Sequence, residues 1–288
     1  MDHSQALKKV QSIQNLPPLP TIALEVNRLL QDMETTVNQL VELIEKDQAL
    51  VMKLLKLVNS SFYGFKNKVN NLGHAVTLMG YSTIQNAVVA LSVMEALTFE
   101  NHLKNFRIDD FWKHAIRVAV MSRYLGARTR LVPVEEAFTA GLIHDIGKVV
   151  LGNYFPREFV AVLHEMQNAG ESFCQAETRL AVCPHGLLGS YLAQRWMLPQ
   201  SLVYAIYGHH DHRGLEGNVG DHAALIAVVG FANNLVHMMD ENAGYHLPTQ
   251  QEDDKTTRLL MDVLRDDDQW WIDVKKEMDV ACSFFDKG

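Results

Sequence analysis

Residues 36–58 read TVNQLVELIEKDQALVMKLLKLV. Val37, Leu40, Val41 and Ile44 recur at i, i+3, i+4 and i+7, one stripe of an amphipathic helix, and Thr36 is placed to cap its start. After Asp47 the pattern returns in Leu50, Val51, Leu54, Leu55 and Val58. A strand would alternate apolar and polar residues, and alternation of that kind is nearly absent from the chain. Working outward, Ser82 opens a run through Ile84, Val88, Leu91 and Met94. Phe111, His114, Ala115, Val118 and Leu125 share one face of a helix that begins near Asp109–Asp110, and Ser172–Gln175 has the form of a capping box. Breakers separate these runs: LPPLP (Leu16–Pro20), Gly64, Gly80, Pro133, Pro156, Gly170, Pro184, Pro199 and the stretch Gly208 to Gly220. The expected fold class is all-α, with a dozen or more helices.

Composition narrows the function. The 288 residues suffice for one large domain or two small ones. Against 34 Asp and Glu stand 26 Lys and Arg, a net charge of −8, which argues against a nucleic-acid binder held by bulk charge. Three cysteines with no C-x-x-C pair argue against a disulfide framework and for a reducing compartment. The first 15 residues carry no apolar signal core, and the longest apolar run, Ala223–Ala232, holds ten residues where a membrane span needs about 20. A cytoplasmic chain with no membrane or nucleic-acid partner is therefore expected. No fixed-period repeat is visible, so a solenoid is not supported. Composition shifts near Glu100–Arg107 and Asn242–Asp254 divide the chain into 1–105, 106–240 and a tail, 241–288. The tail is acidic but carries Leu259, Leu260, Val263, Leu264, Trp270, Trp271, Val274 and Met278 at helical spacing. Such helices either pack on the body or offer a surface to a partner or a second copy of the chain.

Histidine is the unusual residue: 13 in all, nine of them between His114 and His237. The segment Gly141–Lys148, GLIHDIGK, sets His144 beside Asp145 at the end of an apolar helix. An imidazole and a carboxylate side by side can bind one cation, or the carboxylate can bridge two. His114 lies on an apolar face with Phe111 and Val118; His185 shares one with Leu188, Leu192 and Trp196; His209 and His210 follow the Ser201–Tyr207 helix. Any one of these, taken alone, reads as a satisfied core or capping histidine. Taken together, the order H…HD…H…HH on converging helices is how bundle cores build dinuclear sites, and four separate buried imidazoles would otherwise each need a partner. His212, His222 and His237, with Asp211 and Asp221, read as loop and surface groups. His164 reads as a packing residue, and Met94, Met121, Met166, Met197, Met238 and Met239 read as core filler. No haem attachment motif, phosphate-cradling glycine loop or basic aromatic patch is present in the sequence.

The H…HD…H…HH series resembles the HD superfamily of metal-dependent phosphohydrolases. LPPLP (Leu16–Pro20), DQALVMKLLKLVNSSFYGF (Asp47–Phe65), HAVTLMG (His74–Gly80), and the later set Glu177, His185, Gly189, Leu192, Trp196 and Leu198–Pro199 are similar to the HDOD family, the HD-related output domain of bacterial signalling proteins. The resemblance covers roughly Leu16 to His237. It implies an N-terminal helical part followed by an HD-like helical part, and a role as a signalling output module. Many HDOD members have lost the metal ligands, whereas this sequence keeps His114, His144, Asp145, His185, His209 and His210 at the matching positions. Where the superfamily places a last aspartate, this chain has Asn233, a weaker ligand with no charge. Val182 and Gln48 stand where glycine and proline are usual.

If metal binds, Asp145 is the bridging ligand, His114, His144, His185, His209, His210 and Asn233 fill the shell, and Fe, Mn, Zn or Ni suit such ligands better than Mg or Ca. Lys148, one turn after His144, is placed to offset phosphate charge, with Asp145 the catalytic residue beside it; Arg117 has a weaker claim. Glu177 reads either as an orienter of His185 or as a surface charge. Two functions compete. One is a signalling or interaction module with a relict or structural metal site, its partners other signalling proteins. The other is a metal-dependent phosphohydrolase acting on a nucleotide, a phosphomonoester or a cyclic dinucleotide. A redox di-iron protein shares the ligands and little else.

Overall fold

The computed structural model describes residues 3–13, 15–29, 32, 34–60, 63, 65, 67–99, 106–210, 220–241, 255–265 and 269–285. Among them are sixteen α-helices, one short 3-10 turn and no strand. The expected boundaries fall largely on 100–105 and 242–254, outside the described residues, as do Gly64, Asp211 and His212.

Local chemistry starts the helices where the sequence places them. In α3 (Val37–Ile44) the Thr36 hydroxyl accepts the Gln39 N–H while the Gln39 side chain accepts the Thr36 N–H. Asp47 caps α4 (Gln48–Val58) by accepting the Leu50 N–H at 3.0 Å. The capping box at Ser172 and Gln175 opens α11 (Phe173–Arg179). Ser82 does not cap: α6 (Tyr81–Ala96) starts one residue earlier, after Gly80, whose φ of +82° turns the chain out of α5 (Leu72–Met79). The turn after α11 takes its left-handed residue at Ala181, φ +51°, one position before Val182.

The centre of the fold is α7 (Ile108–Thr129). Packed on it are α8 (Val134–Ile143), α14 (Ala223–Glu241), α15 (Lys255–Arg265) and α16 (Trp270–Phe285). α8 also meets α6, against which α2 (Thr21–Leu29), α4 and α5 pack, with α3 against α2 and α5, while α1 (His3–Gln11) packs on α12 (His185–Arg195); one contiguous core runs from Val10 to Ala281. The LPPLP segment is anchored as well: the Trp196 indole donates to the Pro17 carbonyl at 2.8 Å. In the tail, Leu260, Leu264, Trp270, Val274, Met278 and Ala281 are buried on the body, so these faces are spent within the chain.

The remaining helices are α9 (Ile146–Tyr154), α10 (Pro156–Ala169), α12 (His185–Arg195) and α13 (Gln200–Gly208). Two backbone crossings there set the geometry of the site. A Cβ on Gly147 would lie 1.8 Å from the His185 carbonyl oxygen, so α9 and α12 touch backbone to backbone at their first turns. A Cβ on Gly230 would lie 2.4 Å from the His209 carbonyl, which brings the middle of α14 onto the end of α13. Among the described residues no single helix is long and apolar enough to cross a membrane; the bent pair α5–α6 passes on composition, and most of α6 from Ile84 to Val93 is core.

Candidate metal centre

Asp145 sits at the junction of α8 and α9, 1% exposed, and four imidazoles surround its carboxylate. His144 Nε2 is 3.3 Å from Asp145 Oδ2 and His114 Nε2 is 4.0 Å from the same oxygen. On the other side, His185 Nε2 and His209 Nε2 stand 3.1 and 3.4 Å from Oδ1. His210 Nε2 lies 3.1 Å from His185 Nε2. The candidate ligand atoms therefore fall into two groups that share Asp145: His114 with His144, and His185 with His209 and His210.

The outer ring nitrogens fix which way these imidazoles face. His144 Nδ1–H donates to the Gly141 carbonyl at 2.7 Å, and His209 Nδ1–H donates to the Ile206 carbonyl at 2.8 Å. A carbonyl accepts only, so each ring carries its hydrogen on Nδ1 and turns a lone pair on Nε2 toward Asp145. Lone pairs facing a carboxylate repel it unless positive charge lies between them. His144 Nε2 is buried and makes no hydrogen bond, and Asp145 Oδ1 has a donor only while His185 Nε2, 3.1 Å away, carries a proton. Divalent cations held by these residues would supply the missing positive charge, and the donor set of imidazoles and one carboxylate suits a transition metal.

Glu177 settles its own alternative. It is buried, and its two oxygens accept the His185 backbone N–H at 2.8 Å and the His185 Nδ1–H at 2.7 Å. It is an orienter, not a surface charge. Burial alone would lower the His185 pKa, but the Glu177 and Asp145 carboxylates outweigh it and raise it to about 9. Burial lowers His209 to about 4. Burial and the neighbouring His144 push His114 well below its ordinary value. Burial would raise Asp145, yet His144 and Lys148 hold it well below the usual carboxylate range. Lys148 reaches Asp145 Oδ2 at 2.5 Å and passes over the Phe173 ring at 5.0 Å.

Asn233 is buried against the cluster, its side-chain oxygen 2.9 Å from His114 Nε2. The structure thus gathers His114, His144, Asp145, Lys148, His185, His209, His210 and Asn233 in one place. Arg117 does not join them; it is half-buried on α7 and does not line the cavity described next. That cavity, about 900 Å³, reaches His114, Asp145, Lys148, His209, His210 and Asn233 from solvent.

Three sequence readings change. His237, read as a surface group, is exposed but lines this cavity with its ring 4.5 Å from that of His114. Its spacing of four from Asn233 on one helix face was the available signal. His164, read as packing, is exposed and pairs with Asn168, because α10 buries Phe159 and Val162 instead. Of the methionines read as core filler, Met166 and Met238 line the cavity, Met197 is 52% exposed, and Met121 is deep core. His222, partly buried in the 3-10 turn, stacks on Tyr204.

A family model described as the HDOD domain matches residues 16–212. The chain belongs to the HDOD family. An uncharacterized protein of Treponema pallidum (strain Nichols) is 26% identical to this HDOD chain over 234 residues, 81% of this chain and 44% of that protein. The chain spans less than half the length of the curated relatives it matches. Among solved structures, an HDOD domain protein of unknown function from Geobacter sulfurreducens superposes with a TM-score of 0.77 at 21% identity, over 97% of this chain and 99% of that one. A candidate phosphohydrolase from Shewanella amazonensis SB2B gives 0.72 at 23% identity, over 97% of each chain. These likenesses establish the shared helical fold.

Proposed function

We propose that this HDOD chain is a bacterial, cytoplasmic signalling output module built around a His/Asp centre for divalent transition metal, Fe, Mn, Zn or Ni, with one ion on each side of Asp145. One observation carries the reading: the lone pairs of His144 and His209 are turned by their Nδ1 bonds onto a buried carboxylate. Elemental analysis of the purified chain tests it. About two ions per chain are expected at saturation, and less than about 0.2 per chain would overturn it.

A second reading, hydrolysis of a phosphate ester, is favoured by the cavity that opens onto Asp145 and by Lys148 in its wall. His114, His144 and Asp145 would hold one ion; Asp145, His185, His209 and His210 would hold the other. When bound, such ions supply a water that ionises near neutral pH and a Lewis acid for a phosphoryl oxygen. Glu177 holds the His185 ring in place, and Lys148 offsets phosphate charge in the cavity. A panel of phosphomonoesters, nucleotides and cyclic dinucleotides tests this: turnover lost in His144→Ala and kept in Lys8→Ala supports it, and no turnover by metal-loaded protein leaves the signalling role alone.

A further inference from the structure

The cavity is far larger than a phosphate group; pockets of about 300–1,000 Å³ enclose whole small molecules. Much of its wall beyond the His/Asp cluster is apolar and left partly uncovered. Phe106, Leu163, Met166, Phe231 and Met238 all line it, and each is only half-buried. Large apolar side chains that face one concave opening are taken out of water when an apolar group fills it, and that burial favours binding.

The apolar wall adjoins the cationic one. The Phe173 ring is 5.0 Å from Lys148 Nζ and meets the His185 ring edge-on at 5.4 Å. From Phe173, ring contacts run without a break to Phe159 at 5.7 Å, on to Phe106 at 5.0 Å, and to Phe111 at 6.2 Å. Phe159 is the buried backing of this row, while Phe173, Phe106 and Phe111 line the cavity. A second wall comes from α14, where Gly230, Asn234 and Met238 recur every four residues on one stripe and all line the cavity. Gly230 packs on the His209 carbonyl, and Met238 stands about 12 Å farther along the helix axis, so this wall is longer than a phosphate group is wide.

Cationic and apolar surface thus share one cavity, and a ligand that satisfies both is an anion with a hydrocarbon body. We propose that the cavity selects phosphate esters of apolar alcohols over esters of polyols, with the phosphate at Lys148 and Asp145 and the hydrocarbon body against Phe173, Phe106, Phe231 and Met238. Polyol hydroxyls placed on such a wall lose water without gaining enough partners. The inference deepens the phosphate-ester reading of the site and rests on it.

The test uses the metal-loaded full chain and non-hydrolysable probes titrated by calorimetry: methylphosphonate, butylphosphonate, hexylphosphonate and 3,4-dihydroxybutylphosphonate. The wild type binds the butyl probe at least about tenfold more tightly than the methyl probe, and the hexyl probe more tightly again, since each methylene buried on an apolar wall adds about threefold. The dihydroxybutyl probe, equal in length to butyl, binds at least about tenfold more weakly than it. Phe231→Gln and Met238→Gln make the wall polar at two half-buried positions, and in each the ratio of butyl to methyl affinity falls about threefold or more. Equal affinities along the alkyl series, or equal binding of the butyl and dihydroxybutyl probes, overturn the preference for an apolar body and leave the phosphate-ester reading intact. A steep series that neither variant flattens puts the hydrocarbon elsewhere and overturns the preference as well. Failure of the metal-loaded chain to bind any of these probes or inorganic phosphate overturns the phosphate-ester reading, and this inference with it.

Discussion

Replacing Glu177 by glutamine removes one charge and almost no volume, yet it reaches the metal centre through a proton. Both Glu177 oxygens accept from His185, the backbone N–H at 2.8 Å and Nδ1–H at 2.7 Å, in a buried pocket. Glutamine offers one acceptor and one NH₂, so one of these donors meets a donor. The backbone N–H cannot change; the imidazole can. The favoured outcome is His185 with its hydrogen on Nε2, accepting from the glutamine NH₂ at Nδ1, and its Nε2 lone pair is then lost to the ion it should hold. Disturbing such an outer partner costs about 10–100-fold in metal affinity. The loss should fall on the group of His185, His209 and His210, so that about one of two ions is retained at limiting metal. Folding should weaken by about 1–3 kcal/mol, the difference between two charge-assisted bonds and two neutral ones. Competition against a chromophoric chelator reads the affinity, and long-range nitrogen–proton NMR of the histidine rings reads the tautomer. Two ions bound within about twofold of wild-type affinity, with His185 still protonated at Nδ1, would refute the argument.

Asn233→Asp places a carboxylate beside His114 and should tighten metal binding about tenfold, as added ligand charge does; unchanged affinity in the same chelator competition would remove Asn233 from the shell. Gly147→Ala puts a methyl 1.8 Å from the His185 carbonyl, so α9 and α12 must part; denaturant unfolding should show a loss of about 3 kcal/mol or more, accompanied by loss of metal, and a variant as stable as wild type would contradict the close crossing. In the metal-free chain His185 titrates near 9, raised from its unfolded value near 6.5. Its contribution to stability is thus full below about pH 6.5 and fades as pH rises through about 9. Because an ion must displace the His185 Nε2 proton, affinity at this group should climb with pH up to about 9, and a pH-independent affinity would count against that protonated state.

The helical fold class was legible because caps and periodicity are local: Thr36 with Gln39 and Ser172 with Gln175 form the expected boxes without help from distant residues. The inward placement expected of His114 and His185 on their helices is what the structure has, while His144 and His209 are buried at the C-terminal caps of α8 and α13. The cavity was not legible. Its walls come from α7, α10, α11, α14 and α15, elements far apart in the chain, and the backbone crossings at Gly147 and Gly230 that position the cluster beneath it follow no spacing rule. His164 shows how a helix face can be misread: Val160 and His164 share a turn, but Val160 is 46% exposed and the buried stripe runs through Phe159 and Val162. Glu177 could be placed only by its partner, eight residues along the chain and folded back onto it.

The central claim is that Asp145 lies between two metal ions. Anomalous diffraction from crystals of the purified chain, recorded at the absorption edge of whichever metal elemental analysis finds, tests it most directly. The account predicts two peaks about 3.5–4 Å apart, one against His114 and His144 and one against His185, His209 and His210, with the Asp145 carboxylate bridging them. No peak at Asp145 in metal-loaded crystals, or ions bound only elsewhere on the chain, would contradict it.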